Sequence, residues 1–204
     1  MPTGHFFSLD GLDGAGKSTQ CRLLAEWLRS RGHEVTACSD PGGTEIGGIL
    51  RGLLLDHKRS MTVACEAFLF MASRAQLTAE IIRPALAAGR IVVCDRYLLA
   101  NVVYQGHAGG LDPAKVWDMG AIATGGLEPE LTFVLDLPTE EAVKRRRGPG
   151  DRLESRAADF HARVRAGFRA EAERRPDRIR LIDATQPVEV VHQSICGAVE
   201  RLLR

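Results

Sequence analysis

His5–Thr19 reads HFFSLDGLDGAGKST. His5–Asp10 has the composition of a strand, Gly11–Thr19 (GLDGAGKST) is a glycine-rich turn, and Thr19–Arg31 continues at helical spacing through Leu23, Leu24, Trp27 and Leu28. The turn matches G-x-x-x-x-G-K-[ST], a loop that cradles phosphates. Gly11, Gly14 and Gly16 let the backbone curl so that successive N–H groups face one anion. Lys17 then reaches the β- and γ-phosphates, and the Ser18 hydroxyl is a ligand for Mg²⁺. The positive end of the helix that follows points at the same anion. Strand, loop and helix in this order make an accidental match a poor explanation. The chain is expected to bind a nucleoside triphosphate with Mg²⁺, with Gly11, Leu12, Asp13, Gly14, Ala15, Gly16, Lys17, Ser18 and Thr19 forming the cradle.

Outward from the loop, strand-like runs alternate with helix-like ones. Glu34–Cys38, Arg90–Cys94, Leu131–Leu135 and Arg178–Ile182 read as further strands. Ile46–Leu55, Ala64–Ala88, Pro113–Ala123, Ser155–Arg174 and Val188–Leu203 read as helices, with Gly32 a stop signal and Pro84 a break or kink. Five strands alternating with helices predict an α/β fold, a parallel sheet covered on both faces. Ligands in such sheets bind beyond the carboxyl ends of the strands. Asp10, Asp40, Asp95, Asp136 and Asp183 all fall at or just past those ends.

The composition narrows the alternatives. At 204 residues, one domain is the better expectation and it can bury a core without disulfides or metals. A formal charge of +1 argues against bulk attraction to nucleic acid or to an anionic membrane surface. No apolar run approaches the ~18 residues of a membrane helix, and the first ten residues do not read as a signal peptide. The five cysteines have no CxxC spacing and are expected to be reduced, buried small hydrophobes in the cytoplasm. Only four of the 27 basic residues are Lys, so a given Arg is weak evidence for a site. The single Asn, Asn101, precedes Val102, so the N-K-x-D guanine motif is absent, and Leu12 stands where partition-type ATPases carry a second Lys. A small kinase is the best remaining class.

Further segments then point to one family. DPGGT at Asp40–Thr44, ILRGLLLD at Ile49–Asp56, EAFLFMASRAQ at Glu66–Gln76, CDRY at Cys94–Tyr97 and YQG at Tyr104–Gly106 resemble thymidylate kinases in order and spacing, over nearly the whole chain. The resemblance implies a three-layer P-loop NTPase fold. One nucleoside-monophosphate kinase domain would span residues 1–204, with a short lid at about 145–154. It implies a homodimer and Mg²⁺-dependent transfer of the ATP γ-phosphoryl group to dTMP, giving dTDP.

Each segment also has a reading of its own. Asp95 follows an apolar strand and would hold Mg²⁺ directly or through water, unless it caps a helix. Arg96 would clamp the acceptor phosphate with its planar fork, unless it is a surface cation. That phosphate, with a second pKa near ~6, needs no general base. Phe70 and Arg74 are four apart and share a helix face. On spacing alone a core aromatic and a solvated cation are the better reading; by resemblance Phe70 stacks on thymine and Arg74 bonds its O4. By resemblance Asn101 and Gln105 lie at the thymine N3 edge, and Tyr104 crowds the 2′ position. Asp13 would bond the 3′-hydroxyl, Arg51 would make a second phosphate contact, and Asp40 and Pro41 would border dTMP. RRRGPGDRLE at Arg145–Glu154 resembles the lid of bacterial-type enzymes, with Arg152 the first candidate to touch the transferred phosphoryl group and Arg147 the next. A solvated basic run is the alternative.

Two departures stand out. Ser39 and Asp40 replace the Arg-Glu common before P-G-G-T, and Leu99, Ala100 and Asn101 stand where many bacterial members read Asp-Ser-Ser. A regulatory nucleotide-binding protein without phosphotransfer, or a kinase for another monophosphate such as dUMP, are the alternative functions.

Overall fold

A computed structural model describes residues 4–145, 152–153 and 156–203. Five parallel strands form one sheet in the order β2-β3-β1-β4-β5. They are β1 (Phe6–Gly11), β2 (Val35–Ser39), β3 (Ile91–Asp95), β4 (Leu131–Asp136) and β5 (Ile179–Asp183). β1, β3 and β4 are almost wholly buried, as their unbroken apolar sequences require. Phe7, Leu9, Phe133 and Leu135 join α1 (Lys17–Ser30), α8 (Ala158–Arg174) and α9 (Val188–Leu202) in one apolar cluster. Phe6, Val92 and Cys94 join α3 (Val63–Leu77) and α6 (Pro113–Thr124) in a second. The two clusters make the layered α/β architecture, with a core on each side of the sheet. The chain runs from central β1 to outer β2 and returns to β3 between them, so its direction across the sheet reverses at the β1–β3 boundary. The crevice beyond the ends of those two strands is where ligands are expected.

Helix boundaries follow local signals. α1 ends in a left-handed Gly32 (φ 86°), with the Gly32 and His33 N–H groups returning to Arg29 O and Leu28 O. α2 (Glu45–Leu55) starts at Thr44, whose hydroxyl accepts the Gly47 N–H. The segment read as one helix over 64–88 is α3, a π-helical turn Thr78–Ile82 and the short α4 (Arg83–Ala87). Pro84 has no N–H to give, and the wider turn absorbs that loss with Arg83 N–H on Thr78 O. Two elements escaped the sequence reading: α7 (Thr139–Arg145), and α5 (Leu98–Asn101) running into a second π-helical turn, Val102–His107.

All five cysteines are free. Cys21, Cys94 and Cys196 are buried as expected, whereas Cys38 is half-buried and Cys65 is exposed at the start of α3. Among the described residues no helix is long and apolar enough to cross a membrane.

Candidate active site

A cleft of ≈ 640 Å³ opens beyond the ends of β1 and β3, a size suited to small-molecule ligands. At one end lies the phosphate loop. Gly11 (φ 132°) and Gly14 (φ 88°) take conformations that L side chains rarely adopt. A Cβ at Gly14 would lie 2.4 Å from Ala142 O on α7, so only glycine lets α7 close on the loop. α1 begins at Lys17 with no side-chain cap, leaving its first N–H groups to an anion. Lys17 Nζ is buried and tethered to Leu12 O at 2.9 Å and Asp13 Oδ1 at 3.2 Å. Leu12 and Ala15 turn inward and are buried, serving the loop through packing.

Ser18 and Asp95 meet where α1 and β3 converge, with Ser18 Oγ donating to Asp95 Oδ2 at 2.5 Å. Two adjoining hard oxygens suit Mg²⁺, which takes few ligands from protein and the rest from phosphates and water. Among the described residues no group of three or more His, Cys, Asp or Glu could hold a metal by itself.

Arg96 follows immediately, in a left-handed conformation (φ 68°) that costs a non-glycine residue energy. Its N–H bonds Leu9 O, turning the side chain back over the loop. There Nη1 donates to Gly11 O at 3.1 Å and Nη2 to Asp13 Oδ1. The guanidinium carbon sits 5.2 Å from the Tyr104 ring centroid. Burial alone would raise the Asp13 pKa, but Arg96 and Lys17 outweigh it and hold the carboxyl well below its ordinary range. Beneath them Asp10 is fully buried, with neither oxygen hydrogen-bonded within the described residues and Arg96 Nη1 4.0 Å away. Burial raises its pKa to about 7 despite Arg96 and Lys17.

The far end of the cleft is apolar on one side and hydrogen-bonding on the other. Phe70 lines it beside Leu55 and Leu153. Arg74, one turn along α3, is 1% exposed, so it is no solvated cation. Its Nε bonds Asp40 at 2.6 Å, Nη1 bonds Met71 Sδ and Asn101 Oδ1, and Nη2 bonds Tyr97 O at 3.3 Å. Those four bonds use four of the five guanidinium hydrogens, leaving one on Nη2. Asn101 Nδ2 donates to Gln105 Oε1 at 2.7 Å. Arg51 Nη1 bonds Pro41 O at 2.8 Å, placing it beside the loop that carries Asp40.

The expected residues therefore converge with four exceptions. Leu12 and Ala15 support the loop from within. Arg152 lies on the acceptor side, donating to Leu54 O at 2.9 Å and Glu66 Oε2 at 2.6 Å. Arg147 lies outside the described residues. Sequence reasoning missed Asp10 as a buried charge, Glu66, Leu153 and Arg145, the last of which lines the cleft from the end of α7. Glu66 in the first turn of a helix looks like an ordinary dipole-matched surface acid, and nothing local distinguishes it.

Comparison with known proteins places these features. The family profile described as thymidylate kinase matches residues 9–195. Thymidylate kinase of Desulfovibrio desulfuricans is 44% identical, over 98% of this chain and 96% of that one. The Rhodopirellula baltica thymidylate kinase is 45% identical, over 95% and 79%. The crystal structure of thymidylate kinase from Ehrlichia chaffeensis superposes with a TM-score of 0.79 at 28% identity, covering 97% of this chain and 99% of that one. With the phosphate loop, the Asp95-Arg96 pair and the Phe70-Arg74 wall in one cleft, the chain belongs to the thymidylate kinase family.

Proposed function

We propose that the protein transfers the γ-phosphoryl group of ATP to dTMP, giving ADP and dTDP. The observation that carries this reading is a single cleft that joins the phosphate loop to the Phe70–Arg74 wall across Arg96. Lys17 and the loop N–H groups bind the ATP phosphates. Ser18 and Asp95 would hold Mg²⁺, which neutralises charge on the phosphate oxygens when bound. Arg96 grips the acceptor phosphate, with Arg51 as a second contact. The acceptor oxygen is already ionised near neutral pH, so the residues align and neutralise rather than move a proton.

Phe70 offers a stacking face, and the remaining Nη2 hydrogen of Arg74 suits a carbonyl oxygen such as thymine O4. Asn101 and Gln105 face the N3 edge, Tyr104 crowds the 2′ position, and Asp13 accepts from the 3′-hydroxyl. Asp40 and Pro41 border the nucleotide. Arg152 and Arg147 belong to the lid at about 145–154 of one kinase domain spanning residues 1–204.

A homodimer is supported by exposed apolar side chains on helices that pack side by side: Ile49 on α2, Phe68 on α3 and Ile122 on α6, which are 62%, 62% and 84% exposed. Five free cysteines fit a reducing cytoplasm.

The test is ADP release with ATP and Mg²⁺ in the presence of dTMP, dUMP, UMP or no acceptor. Turnover that depends on dTMP and is abolished by Lys17→Ala is expected. ATP binding without acceptor-dependent turnover would overturn the proposal in favour of a regulatory nucleotide-binding role.

A further inference from the structure

Tyr104 stands on the π-helical turn Val102–His107, and α8 packs directly against that turn. A Cβ at Gly167 would lie 2.8 Å from His107 Cβ and 3.1 Å from Val103 Cγ1, so only glycine lets the helix seat this closely. His107 Nε2 bonds the buried Glu171 at 2.7 Å, and Arg163 Nε donates to Ala108 O at 3.3 Å. From α3 the turn is held through Gln105 Nε2, which donates to Glu66 Oε1 at 2.6 Å.

The Tyr104 ring is enclosed in turn. Phe160, in the first turn of α8, and Phe168, about two turns further along, both meet it edge to face with ring centroids 6.2 Å away. Arg96 covers the ring at 5.2 Å, with Nη2 3.5 Å from Tyr104 Oη. All three rings are buried. Phe160 is itself fixed from outside: the Arg156 guanidinium lies 4.5 Å from its ring centroid and donates to Glu66 Oε2 at 2.7 Å. Neither Phe160 nor Phe168 lines the cleft, whereas Tyr104 does.

This enclosure bears on the sugar. A ring excludes an oxygen atom from the space beside it only when it cannot step aside. Close packing behind the ring supplies that resistance, because an extra atom forced into a filled site drives side chains off their rotamers. A ring with a void behind it yields instead.

We infer that Phe160 is a positioning residue for sugar selectivity: together with Phe168 it backs Tyr104, so that the 2′-hydroxyl of a ribonucleotide meets a ring that cannot retreat. Phe160 acts through Tyr104, since it does not reach the cleft. The inference rests on the proposal that Tyr104 crowds the 2′ position of the acceptor.

The test is kcat/KM for dTMP and for ribothymidine 5′-monophosphate, which differ only in the 2′-hydroxyl. It is measured with the KM for ATP in the wild type, Tyr104→Ala and Phe160→Ala. Phe160→Ala is expected to lower the deoxyribose:ribose ratio at least about fivefold while the ATP KM stays within about twofold. Equal losses for both acceptors, with the ratio unchanged, would mean that Phe160 serves the fold alone and would overturn the inference. Tyr104→Ala separates this from the proposed function. A ratio that survives Tyr104→Ala would overturn the placement of Tyr104 at the 2′ position, and the inference with it. A ratio that falls with Tyr104→Ala but not with Phe160→Ala would overturn the inference alone. Phe160→Leu, which keeps more of the space filled, is the second variant if Phe160→Ala does not fold. A smaller fall in the same ratio is expected, and an unchanged ratio would overturn the inference equally.

Discussion

The Arg74 guanidinium meets the Asp40 carboxylate at 2.6 Å with their side chains 2% and 0% exposed. Asp40 follows β2 and Arg74 lies on α3, so this pair ties the acceptor loop to the base wall. Removing one partner of a buried pair strands the other charge. Asp40→Ala should therefore lower stability by about 3–5 kcal/mol, read from urea unfolding. A loss below ~1 kcal/mol, the range of surface pairs, would show that water reaches Arg74 in solution.

Asp10 gives a pH signature. Burial raises its pKa from an ordinary 3.8 to about 7. Between these values the folded chain holds a proton that the unfolded chain has lost. The corresponding stability is complete below pH 3.8 and is lost as pH rises to about 7. Asp10→Asn has no such dependence. Its stability relative to wild type should climb over pH 4–7 and then level off, and a flat difference in urea midpoints across that range would count against the linkage.

Arg96 combines a left-handed backbone with a forked contact to Gly11 O and Asp13. Arg96→Lys keeps the charge and loses the fork. It should reduce kcat/KM for dTMP by about 10²–10³-fold with little change in thermal midpoint. Activity retained within about tenfold would reduce Arg96 to a point charge.

At Gly14 a methyl group would meet Ala142 O at 2.4 Å on a left-handed backbone. Gly14→Ala should cost at least about 1–2 kcal/mol from the backbone alone and weaken ATP binding, because α7 must retreat or the loop must uncurl. Unchanged ATP affinity by calorimetry would show that the loop tolerates the shift.

The sheet and the phosphate loop were legible because each rests on short-range chemistry. Unbroken apolar runs such as Ile91–Cys94 have few alternatives, and glycines at 11, 14 and 16 beside Lys17 mean the same thing wherever they occur. The Phe70–Arg74 wall was legible only by resemblance, since helix spacing alone favours a solvated Arg, and the bond that buries Arg74 comes from Asp40, 34 residues away. The helical stretch over 98–107 was missed because Val102 and Val103 are β-branched and Tyr97 at its start offers no side-chain cap. Glu66 was missed for a related reason: its partner Arg152 is 86 positions away, and neither residue reveals the other.

The π-helical turn at Val102–His107 has a consequence for how this wall can change. Ala108 N–H reaches back five residues to Val103 O instead of four. The turn therefore carries slack: remove one residue, and the backbone can tighten into an ordinary α-helix with its hydrogen bonds intact. Every side chain beyond the cut would then rotate by about 100° about the helix axis. Asn101 would keep its place against Arg74 while Gln105 swung away from Glu66. Length variation at this one turn would therefore change the base wall on its Gln105 side while leaving its Arg74 side in place.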